Sequence, residues 1–286
     1  MIHTNPMIER LAKSAEERRS ILCFGVDPDM SKINAVDSAI STEHTVEESL
    51  GPFFHDIIAR LLEENQISAL KPNYAFFAQY GFDGLYVLRD LIQHYRGRVP
   101  IILDAKRGDI GKTGVAYARE VYDFWGADAV TVSPYMGNDS VAPFLRAGKL
   151  VYVLCKTSNP GSADFQDLKC GKTKLYETVA KRVMDWDAKS SAGLGSCGLV
   201  VGATSDSIKK ITKITDNKTP LLIPGIGTQG GDLGLVMGAI KKNPWIHRIN
   251  ASSSIAYAFE KQAGVKPADA ALKEAQKLNN EMRKYL

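Results

Sequence analysis

Val99-Pro-Ile-Ile-Leu-Asp-Ala-Lys-Arg-Gly-Asp109 runs from an apolar segment straight into a charged cluster. The apolar half, residues 100–105, reads as a buried strand bounded by Pro100 and Gly108. Asp104 and Lys106 stand two apart, so they project from one face of that strand. Gly108 lets the chain turn sharply just before Asp109. Ionisable groups that end a core strand are costly unless paired. Such a cluster is either a structural ion pair or a functional site, and the rest of the chain must decide between them.

Seven more apolar runs flank this one: residues 21–26, 68–73, 129–132, 151–154, 199–201, 221–223 and 246–250. Amphipathic stretches lie between them, at 53–65, 84–95, 114–125, 174–189 and 231–242, and a closing helix is expected over 268–286. Strands that alternate with helical patterns imply βαβ units and a parallel sheet. Eight such units fit an α/β fold of the (β/α)8 TIM-barrel class better than an open doubly wound sheet. No Pro/Gly/Ser-rich linker divides the chain, so residues 1–286 are expected to form a single TIM-barrel catalytic domain. The polar stretches 29–51 and 158–173 read as long loops.

In a barrel, active sites lie at the carboxyl ends of the strands. Taken in chain order, those ends carry Asp27, then Lys71 and Asn73, then Asp104, Lys106 and Asp109. Ser133 and Tyr135, residues 156–159 and the glycine-rich stretch 225–231 complete the rim. Lysines and aspartates that converge on one rim favour a catalytic site over an isolated ion pair.

The remaining composition narrows the partners. A net charge of +4, with basic residues scattered in short doublets, argues against nucleic acid while leaving room for a local anion pocket. The first residues lack a basic segment followed by an apolar one, and no 18-residue apolar run occurs, so a cytoplasmic protein without membrane contact is expected. Cys23, Cys155, Cys170 and Cys197 form no Cys-x-x-Cys pair, and His3, His44, His55, His94 and His247 show no ligand spacing. No metal site or disulfide framework is expected.

Two motifs point elsewhere than they first suggest. Gly225-Ile-Gly-Thr-Gln-Gly230 has the spacing of a dinucleotide fingerprint, but it lies late in the chain and the next strand ends in Asn250 rather than an acid. A turn whose backbone N–H groups hold a phosphate is the better reading, because barrels bind phosphate in the loops after strands seven and eight. Gly-Lys-Thr occurs at 111–113 and 171–173, but Lys106 and Gln166 stand where a P-loop needs glycine.

Lys71, Asp104, Lys106 and Asp109 offer no nucleophile-and-base pairing. One lysine held protonated between aspartates can donate a proton, and a fixed ammonium can stabilise a carbanion. Decarboxylation or proton transfer on a phosphorylated substrate, without a cofactor, suits this array; the residues alone do not select it over aldol chemistry. The stretch Asp104-Ala-Lys-Arg-Gly-Asp-Ile110 resembles the Asp-x-Lys-x-x-Asp-Ile signature of the orotidine 5′-phosphate decarboxylases, in the longer bacterial/archaeal branch. Five further blocks agree in order: Phe24–Pro28, Lys71–Asn73, Ala127–Gly137, Lys156–Gly161 and Pro224–Asp232.

This resemblance implies cofactor-free conversion of orotidine 5′-phosphate to UMP and CO2 in pyrimidine biosynthesis. It assigns Lys106 the protonation of pyrimidine C6, Asp104 the substrate carboxylate, and Lys71 the orientation of Asp104. Asp27 and Asn73 would bind substrate, Asp27 through a ribose hydroxyl; Ser158 would bind the pyrimidine. Gln229 and Gly230 would close over the phosphate. Asp109, Ile110 and Thr113 would enter a neighbouring subunit's site, which implies a homodimer.

The final block departs from the family pattern. In Ile249-Asn-Ala-Ser-Ser-Ser-Ile255, Ser253 stands where the family carries a phosphate-gripping arginine, and Ser252 to Ser254 are the groups left to contact that phosphate. Two alternatives are a metal-dependent sugar-phosphate lyase related to hexulose-phosphate synthase and a nucleotide-binding barrel without turnover. The first usually needs an acid ending strand two, where this chain has Lys71-Pro-Asn73.

Overall fold

The computed structural model describes residues 5–34, 45–190, 195–203, 206–226 and 232–286. Helix α1 (Pro6–Arg18) comes first, capped by the Asn5 side chain, which accepts the Met7 N–H at 2.7 Å. It ends where Arg19 turns left-handed, at φ 47°. Then follow β1 (Leu22–Val26), the short α2 (Met30–Asn34), α3 (Val46–Glu63), β2 (Ala69–Pro72), α4 (Tyr74–Ala78) and α5 (Gly81–Tyr95). Strand β3 (Ile102–Arg107) leads to α6 (Gly111–Arg119), then β4 (Ala129–Val132) and β5 (Leu150–Lys156). A small antiparallel hairpin, β6 (Lys169–Cys170) with β7 (Thr173–Lys174), precedes α7 (Leu175–Lys189). The chain continues through β8 (Ser196–Val201), α8 (Ser207–Ile214), β9 (Leu221–Pro224), α9 (Leu233–Ile240), β10 (Arg248–Ala251), α10 (Ser253–Ala256) and α11 (Pro267–Met282).

Eight strands form one parallel sheet in the order β2-β1-β10-β9-β8-β5-β4-β3. Its two ends meet through parallel bridges, Leu70 with Ile101 and Asn73 with Asp104, so the sheet closes on itself. This is the (β/α)8 barrel that the alternating runs imply.

Its interior holds Cys23, Ala69, Ile102, Ala129, Leu150, Tyr152, Val200 and Leu222, packed with Met7 and Leu11 from α1. Helix α1, which the strand pattern does not foretell, thus plugs the amino end of the barrel. Burying Met7 and Leu11 there is worth about 1.5–3 kcal/mol each. Ser14 Oγ donates to the Ser68 carbonyl at 2.9 Å, and Arg10 pairs with Asp128, which fixes the plug.

The structure corrects four boundaries. Residues 29–51 are not one long loop: α2 occupies part of them, and α3 begins at Val46 because Thr45 and Glu48 form a reciprocal capping box. Within 158–173 a 3₁₀ turn (Pro160–Asp164) and the β6–β7 hairpin supply order. The helix expected over 114–125 divides instead into α6 and a single π turn, Glu120–Phe124. The expected strand start at Ile246 belongs to a 3₁₀ turn, Pro244–Ile246, opened by proline.

Candidate active site

Lys71 ends β2 and Asp104 and Lys106 lie in the second half of β3, so the barrel brings all three to its carboxyl rim. Lys71 Nζ donates to Asp104 Oδ2 at 2.7 Å, and Lys106 Nζ donates to Asp104 Oδ1 at 2.8 Å. A third donor, Thr131 Oγ1 on β4, reaches the same Oδ1 at 2.9 Å. Lys71 and Asp104 are buried, whereas the Lys106 side chain is 52% exposed and faces the open mouth. One carboxylate therefore holds a buried ammonium on one side and an accessible one on the other.

The charges fix one another. Burial by itself would raise the Asp104 carboxyl, but the charges of Lys71 and then Lys106, with their hydrogen bonds, outweigh it and hold the group well below the usual carboxylate range. Burial likewise would lower the Lys71 ammonium, but Asp104 and then Asp27 hold it above the usual lysine range. Asp104 stays ionised and Lys71 stays protonated at any physiological pH.

Strand regularity does not by itself bring Lys106 to Asp104. The β3–β4 register shifts between Leu103 and Arg107, which pair with Val130 and Val132. Within this bulge Lys106 adopts φ 45°, a left-handed conformation that costs an L residue with a Cβ about 1–2 kcal/mol. Thr131 offsets part of that cost, since its Oγ1 accepts the Lys106 N–H at 3.0 Å. Thr131 thus binds both halves of the pair. Sequence reasoning missed it; its only signal was a hydroxyl among the valines of β4.

The other expected residues are distributed as follows. Asp27 follows β1, and its Oδ1 is buried with no hydrogen-bond partner among the described residues. Tyr257 pins this turn, donating from its hydroxyl to the Asp27 carbonyl at 2.9 Å and accepting the Asp29 N–H at 2.8 Å. Asn73 bridges to Asp104 through the backbone. Ser158 lies beyond β5 against Gly202, where an added Cβ would come within 2.9 Å of the Ser158 Cβ. Lys156, one of the rim lysines, serves structure instead: it donates to Ser162 Oγ and Asp167 Oδ2, both at 2.8 Å, while Lys174 also holds Asp167.

Ser252 follows β10 and lies over Gly25, where a Cβ would come within 1.9 Å of its Oγ, so a larger residue at 25 would displace Ser252. Ser253 opens the short α10. Arg248 cannot stand in for a missing arginine at that end. It starts β10 near the barrel floor, fully buried, and donates to the carbonyls of Leu11, Trp245 and His247. Within one chain Asp109, Ile110 and Thr113 do not join the cluster: Asp109 Oδ1 accepts the Ile110 N–H at 2.8 Å, and Ile110 and Thr113 are exposed. Tyr135 is exposed as well. Gln229 and Gly230 lie outside the described residues. Among the described residues no group of three or more His, Cys, Asp and Glu side chains could hold a metal ion, and no helix is long and apolar enough to cross a membrane.

Comparison with known proteins agrees with this geometry. The model of the orotidine 5′-phosphate decarboxylase / HUMPS family matches residues 22–267. The chain is 38% identical over 276 residues to the orotidine 5′-phosphate decarboxylase of Herpetosiphon aurantiacus, covering 94% of this chain and 95% of the relative. It is 43% identical over 224 residues to that of an Azoarcus species, covering 76% and 77%. The solved OMP decarboxylase of Leishmania donovani superposes with a TM-score of 0.77 at 33% identity, covering 97% of this chain and 99% of that one.

Proposed function

The chain belongs to the orotidine 5′-phosphate decarboxylase / HUMPS family, and from that premise we propose how its residues carry out the reaction. It is an enzyme that decarboxylates orotidine 5′-phosphate to UMP. We read residues 1–286 as one catalytic domain working in the cytoplasm without a cofactor. The Lys71–Asp104–Lys106 array, one ionised carboxylate between two ammonium groups at 2.7 and 2.8 Å, carries the reading.

With substrate bound, the Asp104 carboxylate faces the substrate's own carboxylate, like charge against like, a contact relieved as CO2 departs. The C6–carboxylate bond breaks and its electron pair stays on C6. The Lys106 ammonium stabilises that charge and then gives C6 a proton, which solvent restores to Lys106 through the open mouth. Lys71 keeps Asp104 ionised and in place. Asp27, whose buried Oδ1 awaits a donor, binds a ribose hydroxyl; Asn73 lines the same side, and Ser158 meets the pyrimidine. Gln229, Gly230, Ser252 and Ser253 take the phosphate with backbone N–H and hydroxyl groups.

Asp109, Ile110 and Thr113 complete the site of a second copy of the chain. The exposed apolar side chains of Ile110 and Val115, the latter beside Ala142 and Pro143, supply a face for that copy to cover. Lys71-Pro-Asn73, in place of an acid at the end of β2, disfavours a metal-dependent sugar-phosphate lyase.

The test follows orotidine absorbance in excess EDTA for wild type and Lys106→Ala. Wild type is expected to consume substrate, and Lys106→Ala to lose about 10²–10⁴-fold, the usual weight of a general acid. Equal rates in the two proteins would defeat the proton-donor role. Binding of UMP without any loss of absorbance would favour a barrel that does not turn over.

A further inference from the structure

Arg107 follows Lys106 immediately, yet the chemistry above gives it nothing to do. Its guanidinium lies between two aromatic rings, 4.5 Å from the Tyr74 centroid and 4.7 Å from that of Tyr117. At its edge it meets Glu120 in a two-pronged pair, Nε to Oε2 at 3.0 Å and Nη2 to Oε1 at 2.6 Å. Trp125 Nε1 donates to the same Oε1 at 3.1 Å. The pair is largely shielded, with 16% of the Arg107 side chain and 25% of the Glu120 side chain exposed.

Each partner comes from a different element. Tyr74 opens α4 directly after Asn73, which bridges Asp104, so it reports the position of the end of β2. Tyr117 belongs to α6, and Glu120 opens the π turn where the helical bonding pattern widens. Such π turns recur at functional sites. The backbone at the bulge is tied toward β4 by the Lys106 N–H to Thr131 and by the Ser133 N–H to the Arg107 carbonyl at 2.7 Å, and toward the end of β2 only before Lys106, where Asp104 bridges Asn73. The Arg107 side chain supplies a tie on the far side of Lys106, across to α4 and α6. Without it a residue at φ 45° is free to relax toward ordinary strand geometry, which would swing Lys106 Nζ off Asp104.

We propose that the Arg107–Glu120 pair, held between Tyr74 and Tyr117 and braced by Trp125, is a positioning device that keeps Lys106 in its left-handed conformation and its ammonium aimed at the reacting carbon. This inference rests on the reading of Lys106 as proton donor. Arg107 and Glu120 act through Lys106 and touch no substrate.

Glu120→Ala, Glu120→Gln and Arg107→Lys test it, with kcat, KM and UMP affinity measured on each beside the wild type. Glu120→Ala is expected to lower kcat about tenfold or more while KM and UMP affinity stay within about threefold, the pattern of a lost transition-state interaction. Glu120→Gln, which keeps an acceptor oxygen and the same shape, should recover part of kcat. Arg107→Lys, which can neither fork nor stack, should not match the wild type. An unchanged kcat in Glu120→Ala, in a wild type that decarboxylates, overturns this inference alone. So does a parallel fall of kcat and UMP affinity, which would mark general damage to the site. A wild type with no decarboxylation overturns the functional reading and this inference with it.

Discussion

Replacing Asp104 by asparagine keeps the shape of the side chain and removes its charge, and the structure says what that leaves behind. Lys71, 5% exposed at its side chain, loses the partner that holds it at 2.7 Å. Breaking a buried ion pair by removing one member typically costs about 3–5 kcal/mol, because the survivor remains charged and desolvated. Asp27 is the second influence that keeps Lys71 protonated, so part of the attraction survives. A net loss of about 2–4 kcal/mol follows, and at about 2 °C per kcal/mol for a chain of this size it lowers Tm by about 4–8 °C.

The pH dependence has a definite sign. The Asp104 carboxyl is depressed in the folded protein, so its contribution is present above the unfolded value of about 3.9 and fades only as pH falls toward the folded value. The Lys71 ammonium is raised, so its contribution is present below about 10.4 and fades as pH climbs toward its folded value. The wild-type contribution of the pair should thus be flat from about pH 5 to 9, and any slope in the deficit of Asp104→Asn across that range reports the Lys71 ammonium of the variant, which burial lowers once Asp104 is gone. Thermal melts at equal protein concentration across that range measure it. Adding Lys71→Met should return at least half of the lost Tm, since the buried ammonium is then gone and Lys106, half exposed, keeps its hydration. A single mutant that melts with or above the wild type would refute the argument, as would a double mutant whose losses simply add.

Three more perturbations follow from the site. Thr131→Val removes the donor to Asp104 and the acceptor of the Lys106 N–H, a loss of about 1.5–3 kcal/mol that should lower kcat roughly tenfold to a hundredfold; Thr131→Ser should restore it, and a wild-type kcat in the valine variant would remove Thr131 from the mechanism. Ser253→Arg supplies a charge-assisted contact to the phosphate and should raise kcat/KM by roughly tenfold to a hundredfold; an unchanged or lower value would sink either the alignment of this block or its role. Co-expressed Lys106→Ala and Asp109→Ala chains should recover about a quarter of wild-type activity, since half of a random mixture is heterodimer with one intact site each. Activity no greater than that of the parent variants would exclude donation of Asp109 across a dimer.

The barrel was legible because its strands are buried on both faces and so read as apolar runs without alternation, while each intervening helix shows its own period. The site was legible for the related reason that charge is rare inside such runs. Lys71 and Asp104 stand out because both are buried, where an unpaired charge would be costly. Boundaries were less legible where local capping overrode the pattern, as at Thr45 and Glu48, or where proline started a turn, as at Pro244. The α1 plug escaped because Met7 and Leu11 bury against the interior of a barrel assembled from residues far along the chain. No local period announces such a partner.

Thr131 and the Arg107 clamp were hidden for a different reason. A strand pattern assumes regular alternation, and by that rule Arg107 points away from the site and Thr131 is one more inward core position. The bulge between Leu103 and Arg107 changes what Thr131 does and leaves Lys106 strained beside Arg107. It turns the Lys106 N–H out of the ladder, and that N–H needs an acceptor. A valine at 131 would leave it unpaired, whereas the threonine satisfies it and at the same time donates to Asp104. Arg107 does point outward, but its guanidinium is stacked between α4 and α6 and paired with Glu120, so it carries no unpaired charge there. The hexapeptide Asp104–Asp109 therefore states the chemistry openly in its two acids and its lysine. Its geometry depends on groups supplied by β4, α4, α6 and the π turn, and that dependence makes the strained lysine tenable at the end of an otherwise regular strand.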